Sequence, residues 1–203
     1  MERGHHSAQQ RERRRWAALR GWRFVLSDPE LAVRWRHGVL AVHGAPAGLA
    51  KDIVVGSLFT PLGRRAAQVF DHEQGGQVSS VVVAVQRRHR DAELVAELWL
   101  PDRPRPQDAE LSLLGQVGER FAWLSDPGRA SPLTSPEFVF ATGALGPDIP
   151  VAWVETGWVL AAAPSGATPA RLERLLRALD EIAELLDAAD VAVTDVAATD
   201  TRG

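Results

Sequence analysis

Residues 168–187 read TPARLERLLRALDEIAELLD. Thr168 stands where a helix N-cap is wanted, and Pro169 occupies the first helical position, where a missing N–H costs nothing. At about 100° per residue, Leu172, Leu175, Leu176, Leu179, Ile182 and Leu186 fall with Ala183 inside an arc of about 120°. Glu173, Arg174, Arg177, Asp180, Glu181, Glu184 and Asp187 take the other side, and Glu173 and Arg177 are spaced as an i,i+4 pair. Each large apolar side chain on that stripe gains about 1.5–3 kcal/mol when buried. The helix Pro169–Asp187 must therefore lie on an apolar surface built by the rest of the chain. Leu185 falls off the stripe.

That surface reads as a sheet. Immediately upstream, Ala152–Glu155 and Trp158–Ala162 flank Thr156-Gly157 as a hairpin. Ile53–Phe59 and Arg65–Asp71 form another around Thr60-Pro61-Leu62-Gly63. After Gly75-Gly76 comes a further pair, Gln77–Gln86, with Val81-Val82-Val83, and Glu93–Leu100. In the latter, Leu94, Ala96, Leu98 and Leu100 alternate with Glu93, Val95, Glu97 and Trp99, which predicts one face on the core and one partly wet. Pro101, Pro104 and Pro106 then break the sheet before a short helix at Gln107–Leu114, and Arg120–Leu124 returns to a strand. Ser135–Leu145 carries opposed signals: Ser135-Pro136-Glu137 starts a helix, whereas Phe138-Val139-Phe140 favours a strand.

At the N-terminus, residues 1–10 are polar and aperiodic and predict a disordered lead-in. Arg11–Arg20 predicts a short helix ended by Gly21, and Asp28 with Pro29 starts a second one carrying Leu31, Val33 and Trp35. Ala188–Gly203 has only three Val as larger apolar groups and predicts a disordered acidic tail. A single domain over residues 11–187 remains, of α+β class: a mainly antiparallel sheet, short N-terminal helices, and the long amphipathic helix packed on one face. A half-barrel of the pleckstrin-homology kind is one arrangement of these parts.

Composition restricts function. The formal charge of −3 provides no global field for polyanions, although residues 1–36 carry nine Arg against four acidic groups and residues 168–203 four Arg against eight. The longest stretch free of charged residues, Thr156–Ala170, is too short and too rich in Pro and Gly for a membrane helix. Arg20 and Arg23 interrupt Trp16–Leu26, so no secretory signal is predicted, and the expected location is the cytoplasm. With no cysteine, disulfides, thiolate metal sites and cysteine nucleophiles are excluded. The excess of Arg over the single Lys51, and the absence of Tyr and Asn, fit GC-rich coding.

Two groups of residues could carry chemistry. Asp71-His72-Glu73 is the one tight titratable cluster, yet a strand would turn His72 away from both carboxylates. His5, His6, His37, His43 and His89 are scattered, and no GxSxG elbow, phosphate loop or dinucleotide fingerprint occurs. The second group is Arg11, Arg13, Arg14, Arg15, Arg20 and Arg23 with Trp16 and Trp22 between them, a composition suited to phosphates and stacked bases or to anionic lipid. The competing structural role is a helix whose tryptophans dock on the sheet while its arginines face water or pair with the acidic C-terminal helix. No catalytic residue, cofactor or metal site is expected. The expected function is a non-catalytic interaction or regulatory module for a protein partner or a second copy of itself. Anion binding through Arg11–Arg23, to nucleic acid or lipid, is the alternative, and a hydrolase built near Asp71 and His72 comes third.

Several segments together resemble a known family. These are Arg20-Gly21-Trp22-Arg23-Phe24, Ser27-Asp28-Pro29-Glu30-Leu31, Gly56–Asp71 ending in Val69-Phe70-Asp71, and Val154–Leu186 with Gly157-Trp158. Over about residues 15–187 the chain is similar to an uncharacterised family of small cytoplasmic proteins from high-GC, actinobacterial-type bacteria. The resemblance implies a helix at Ser135–Leu145 and no catalytic residues.

Overall fold

Alternating apolar segments pair into one antiparallel sheet of nine strands. They are β1 (Arg23–Asp28), β2 (Leu49–Thr60), β3 (Gly63–Gln74), β4 (Gln77–Gln86), β5 (Ala96–Trp99), β6 (Ser112–Val117), β7 (Arg120–Leu124), β8 (Val151–Glu155) and β9 (Trp158–Ala163). The order across the sheet is β1-β2-β3-β4-β9-β8-β5-β7-β6. This computed structural model describes residues 2–41, 48–89, 94–103 and 110–200, with side chains for 8–41, 48–89, 94–103 and 110–191. Strands β1 to β4 form a meander and β5, β6 and β7 a second unit. The late hairpin β8–β9 joins them, with Val83 opposite Ala161 on one side and Leu98 opposite Ala152 on the other. The hairpin turns at Thr156-Gly157, both at positive φ (48° and 72°), a geometry that matches strand twist and that glycine adopts freely.

Helices α1 (Glu2–Leu19), α2 (Pro136–Gly143) and α3 (Pro169–Asp200) cover one face. The predicted stripe of α3 is buried throughout against Val81, Val83, Val85, Ala161 and Ala163, and Leu185 packs beside that core. At Ser135 the helix signal prevails over the strand propensity that follows. Its hydroxyl accepts the N–H of Phe138 at 3.2 Å, and Phe138 and Ala141 point into the core.

The opposite face is also closed. Residues 31–40 cross it as two 3-10 turns, Ala32–Arg34 and Gly38–Leu40. Trp35, 1% exposed, stacks on Phe70 with ring centroids 5.8 Å apart and meets Trp158 edge-on. The strap is fixed by buried carboxylates: Glu155 accepts the N–H groups of Arg36 (2.8 Å) and His37 (3.2 Å). Glu97 accepts those of Gly38 (2.9 Å) and the Trp99 indole (2.7 Å). Burial pushes the Glu155 carboxyl up, and these donors only partly offset it.

Several expectations are corrected. The sheet stays open, with β1 and β6 as its edges, and does not close into a barrel. The pair Gln77–Gln86 and Glu93–Leu100 are not neighbours, because β9 and β8 stand between them. The face of Glu97 and Trp99 is dry rather than partly wet, because the strap covers it. The helix expected after Asp28 is replaced by the turn in which Asp28 accepts from Glu30 and Leu31, followed by the short 3-10 segment. In the segment 107–114, residues 112–114 belong to β6 and 104–109 lie outside the described residues. Helix α1 starts at Glu2 rather than Arg11, and α3 runs on past Asp187 to Asp200.

Candidate functional site

The arginine-rich head folds as the last turns of α1 and the start of edge strand β1, and its members separate by environment. On α1 the side facing the sheet carries Gln10, Arg13, Trp16 and Ala17. Gln10 Nε2 donates to Asp52 at 2.6 Å, and Arg13 forms a buried ion pair with Asp71 of β3. Trp16 Nε1 donates to Glu173 of α3 at 2.9 Å, joined there by Arg20 at 3.1 Å. The Trp16 hydrogen bond holds the Glu173 carboxyl below its ordinary value, with the Arg20 charge adding to it against partial desolvation. Arg20 lies over the Trp22 ring at 4.5 Å, and Trp22 rests on Gly56 so closely that a Cβ there would come within 2.1 Å of the indole. Arg11, Arg14, Arg15 and Arg23 remain exposed, with Arg14 over Phe24 at 4.9 Å and Leu19 79% exposed beside them.

Asp71, His72 and Glu73 do not converge. Asp71 faces α1 and Arg13, whereas Glu73 accepts from Lys51 Nζ at 2.6 Å. His72, 4% exposed, turns to the other face, where its Nδ1 lies 3.2 Å from Ser79 Oγ and its Nε2 lies against Gly48. Burial pushes its imidazole below the ordinary value, toward the neutral form. Among the described residues no three His, Cys, Asp or Glu side chains are grouped to hold a metal ion. His43 lies outside the described residues, and His89 stands in an exposed turn 3.7 Å from Asp187.

Two further arrangements were not read from the sequence. Arg65 of β3 and Arg87, just past β4, are fully buried and reach α3. Arg65 pairs with Asp180 and Asp187 at 2.8 Å each, and Arg87 with Asp190 at 2.5 Å and Asp187 at 3.4 Å. Burial alone would raise the Asp187 carboxyl, but the Arg65 and Arg88 hydrogen bonds and the charges of Arg65 and Arg87 outweigh it and hold it low. The only sequence signal was that Asp180 and Asp187 sit seven residues apart, bordering the apolar stripe. The second arrangement is a cavity of about 420 Å³ where β4 begins and β9 ends, on the strap face, bordered by Ser79, Ser80 and Ala162.

The family described as "Trehalose monomycolate transport factor TtfA" matches residues 1–201. The chain belongs to that family. The trehalose monomycolate transport factor A of Mycolicibacterium smegmatis is 28% identical to it over 178 residues. That match takes in 87% of this chain and 59% of the relative, so the chain spans well under two thirds of the relative's length. A crystal structure of the mycobacterial TtfA superposes with a TM-score of 0.75 at 25% identity, covering 88% of this chain and 94% of that one. The resemblance to an actinobacterial family therefore holds, with one correction: the TtfA family is not uncharacterised, because it carries a transport role in its description. No described helix is long and apolar enough to cross a membrane.

Proposed function

We propose that this chain is a non-catalytic component of trehalose monomycolate transport that works by holding a protein of the transport machinery. The observation that carries this reading is the family match over residues 1–201, supported by the shared fold. The local chemistry agrees: Asp71 and Glu73 are engaged by Arg13 and Lys51, and His72 faces away from both. The test is a chimera in which this chain replaces the matching region of the Mycolicibacterium smegmatis factor, expressed where the native factor is depleted. Restored delivery of labelled trehalose monomycolate to the cell envelope is the expected result. A folded, abundant chimera that leaves the lipid undelivered would overturn the reading.

The exposed group Arg11, Arg14, Arg15 and Arg23 beside Leu19 favours a second reading, attachment to an anionic lipid surface by charge and one apolar anchor. Vesicles with and without anionic lipid test it. Retention that disappears in high salt and in the fourfold Arg→Gln variant supports the reading. Equal retention on neutral vesicles, or binding to nucleic acid alone, contradicts it.

A further inference from the structure

The two edges of the sheet are not alike. Edge strand β1 begins at Arg23, ends at Asp28 and lies against α1, so charge and a helix guard it against further pairing. Edge strand β6, with the sequence SLLGQV, carries no charge, and no strand pairs with its outer side among the described residues. An uncharged edge of this kind is a template for an added strand.

An apolar shelf adjoins that edge. Residues directly opposite in a ladder share a face, so Trp153, Glu97, Trp123 and Leu113 form one row across β8, β5, β7 and β6. The strap roofs the inner end of the row, where Gly38 sits on the Trp153 ring and donates to Glu97. Exposure rises outward, from 0% at Trp153 and 2% at Glu97 to a half-buried Trp123 and 53% at Leu113. In the next row the buried Trp99 leads to Phe121, 39% exposed, and to the exposed Gln116. A strand laid beside β6 would lengthen both rows by one side chain, the first of them against Leu113.

The surroundings decide what that strand is. Both ends of the edge are acidic: Glu110 and Asp126 lie two residues beyond the Ser112–Leu124 pair, and Glu119 stands in the turn between Val117 and Arg120, all three exposed. The adjacent Arg120 guanidinium turns inward onto the carbonyls of Ile149 and Gly146, at 2.8 and 2.9 Å. Basic residues at both ends of an incoming segment would therefore meet opposite charge. A second copy of this chain fits the edge poorly. The ladder is bulged between Leu113 and Gly115, so β6 pairing with β6 would set two bulges in one ladder, whereas a lone segment can follow the twist. A stable dimer also needs about 20–30 residues a side, and this rim offers the 6 of β6 with Phe121 and Trp123.

We infer that β6 takes up one extended segment of a partner protein as an added strand, uncharged and alternately apolar in its middle and carrying Lys or Arg at its ends. The inference deepens the partner-binding reading by naming its surface, and rests on that reading for the existence of the partner. Titrating a synthetic Lys-Val-Thr-Val-Thr-Val-Lys peptide into the isotope-labelled full chain tests it. Saturable amide shifts and slowed hydrogen exchange over Ser112–Val117 are expected, with binding about tenfold weaker when Glu replaces Lys at both peptide ends. The double variant Leu113→Lys with Gln116→Lys changes two exposed side chains, so it should keep the wild-type melting temperature and lose the response. Absence of saturable shifts, shifts that persist in the double variant, or shifts centred on β1 would overturn the inference. So would a concentration-dependent dimer that the same variant dissolves, because the edge would then serve a second copy. Capture from the native host separates the two proposals. A protein held equally by wild type and double variant removes the edge alone, whereas peptide binding without any captured protein removes the partner reading alone.

Discussion

At the residue scale, the decisive group is Arg13. It is one of six head arginines with the same apparent promise in sequence, yet it is buried against Asp71 while Arg11, Arg14 and Arg15 are exposed. The difference is its side of the helix: Arg13 shares the sheet-facing side with Gln10 and Trp16, three residues away in each direction. Removing one member of a buried ion pair strands the other. Asp71→Ala should therefore destabilise the protein by about 3–5 kcal/mol in urea unfolding. The double variant Arg13→Met with Asp71→Leu should recover most of that loss, and equal losses in both would refute the burial argument. His72 gives a pH-dependent counterpart. Its folded value lies below 6.5, so above that pH both folded and unfolded forms are neutral and the full stability is present. As pH falls below 6.5, the unfolded chain takes up a proton that the folded one refuses, and stability declines. His72→Gln should flatten the melting temperature between pH 6.5 and about 5, and an unchanged slope would contradict the assignment. The alternation of Asp71, His72 and Glu73 was legible from the strand period, but the bulge at Ser79 was not. Nothing in Ser79-Ser80 marks a one-residue register slip, which is set by pairing with a distant strand.

At the element scale, α3 was legible because its cap, its proline and its stripe agree on one answer. What periodicity cannot express is the electrostatic fastening of its second half. Asp187 accepts from Arg65 at 2.8 Å and from the N–H of Arg88 at 3.1 Å, and Asp190 takes Arg87 and Arg129. These partners lie 61 to 122 residues away in sequence, so no local pattern announces them. Asp187→Ala should cost about 3–5 kcal/mol, because it leaves two buried guanidiniums short of an acceptor. Hydrogen exchange should show faster opening of α3 after Asp180 while its first turns stay protected. Uniform protection along α3 would mean that apolar packing alone holds it. The first part of the strap, with Leu31, Val33 and Trp35, was read as a helix for a comparable reason. Asp28 and Pro29 do begin a turn, but Glu155 and Glu97 draw the next backbone N–H groups out of helical bonding and onto the sheet.

At the scale of the whole molecule, the sheet is two local units joined by a hairpin made late in the chain. The turns at Thr60–Gly63, Gly75-Gly76 and Thr156-Gly157 are visible in sequence, but the β6–β7 hairpin was read as a helix at its start, and the insertion of β8 and β9 between β4 and β5 is a long-range choice that alternation does not encode. Both faces are consequently covered, by three helices and by the tryptophan-bearing strap, and the molecule presents its rims and the outer side of α1 to others. The role proposed for this scaffold in trehalose monomycolate transport is to bind a protein rather than to carry out chemistry. Affinity capture of the full chain from its native host, at moderate and at high salt, tests it most directly. The expected result is a stoichiometric envelope-transport protein that stays bound at high salt, as apolar docking requires. Recovery of the chain with no stoichiometric protein at either salt would contradict it.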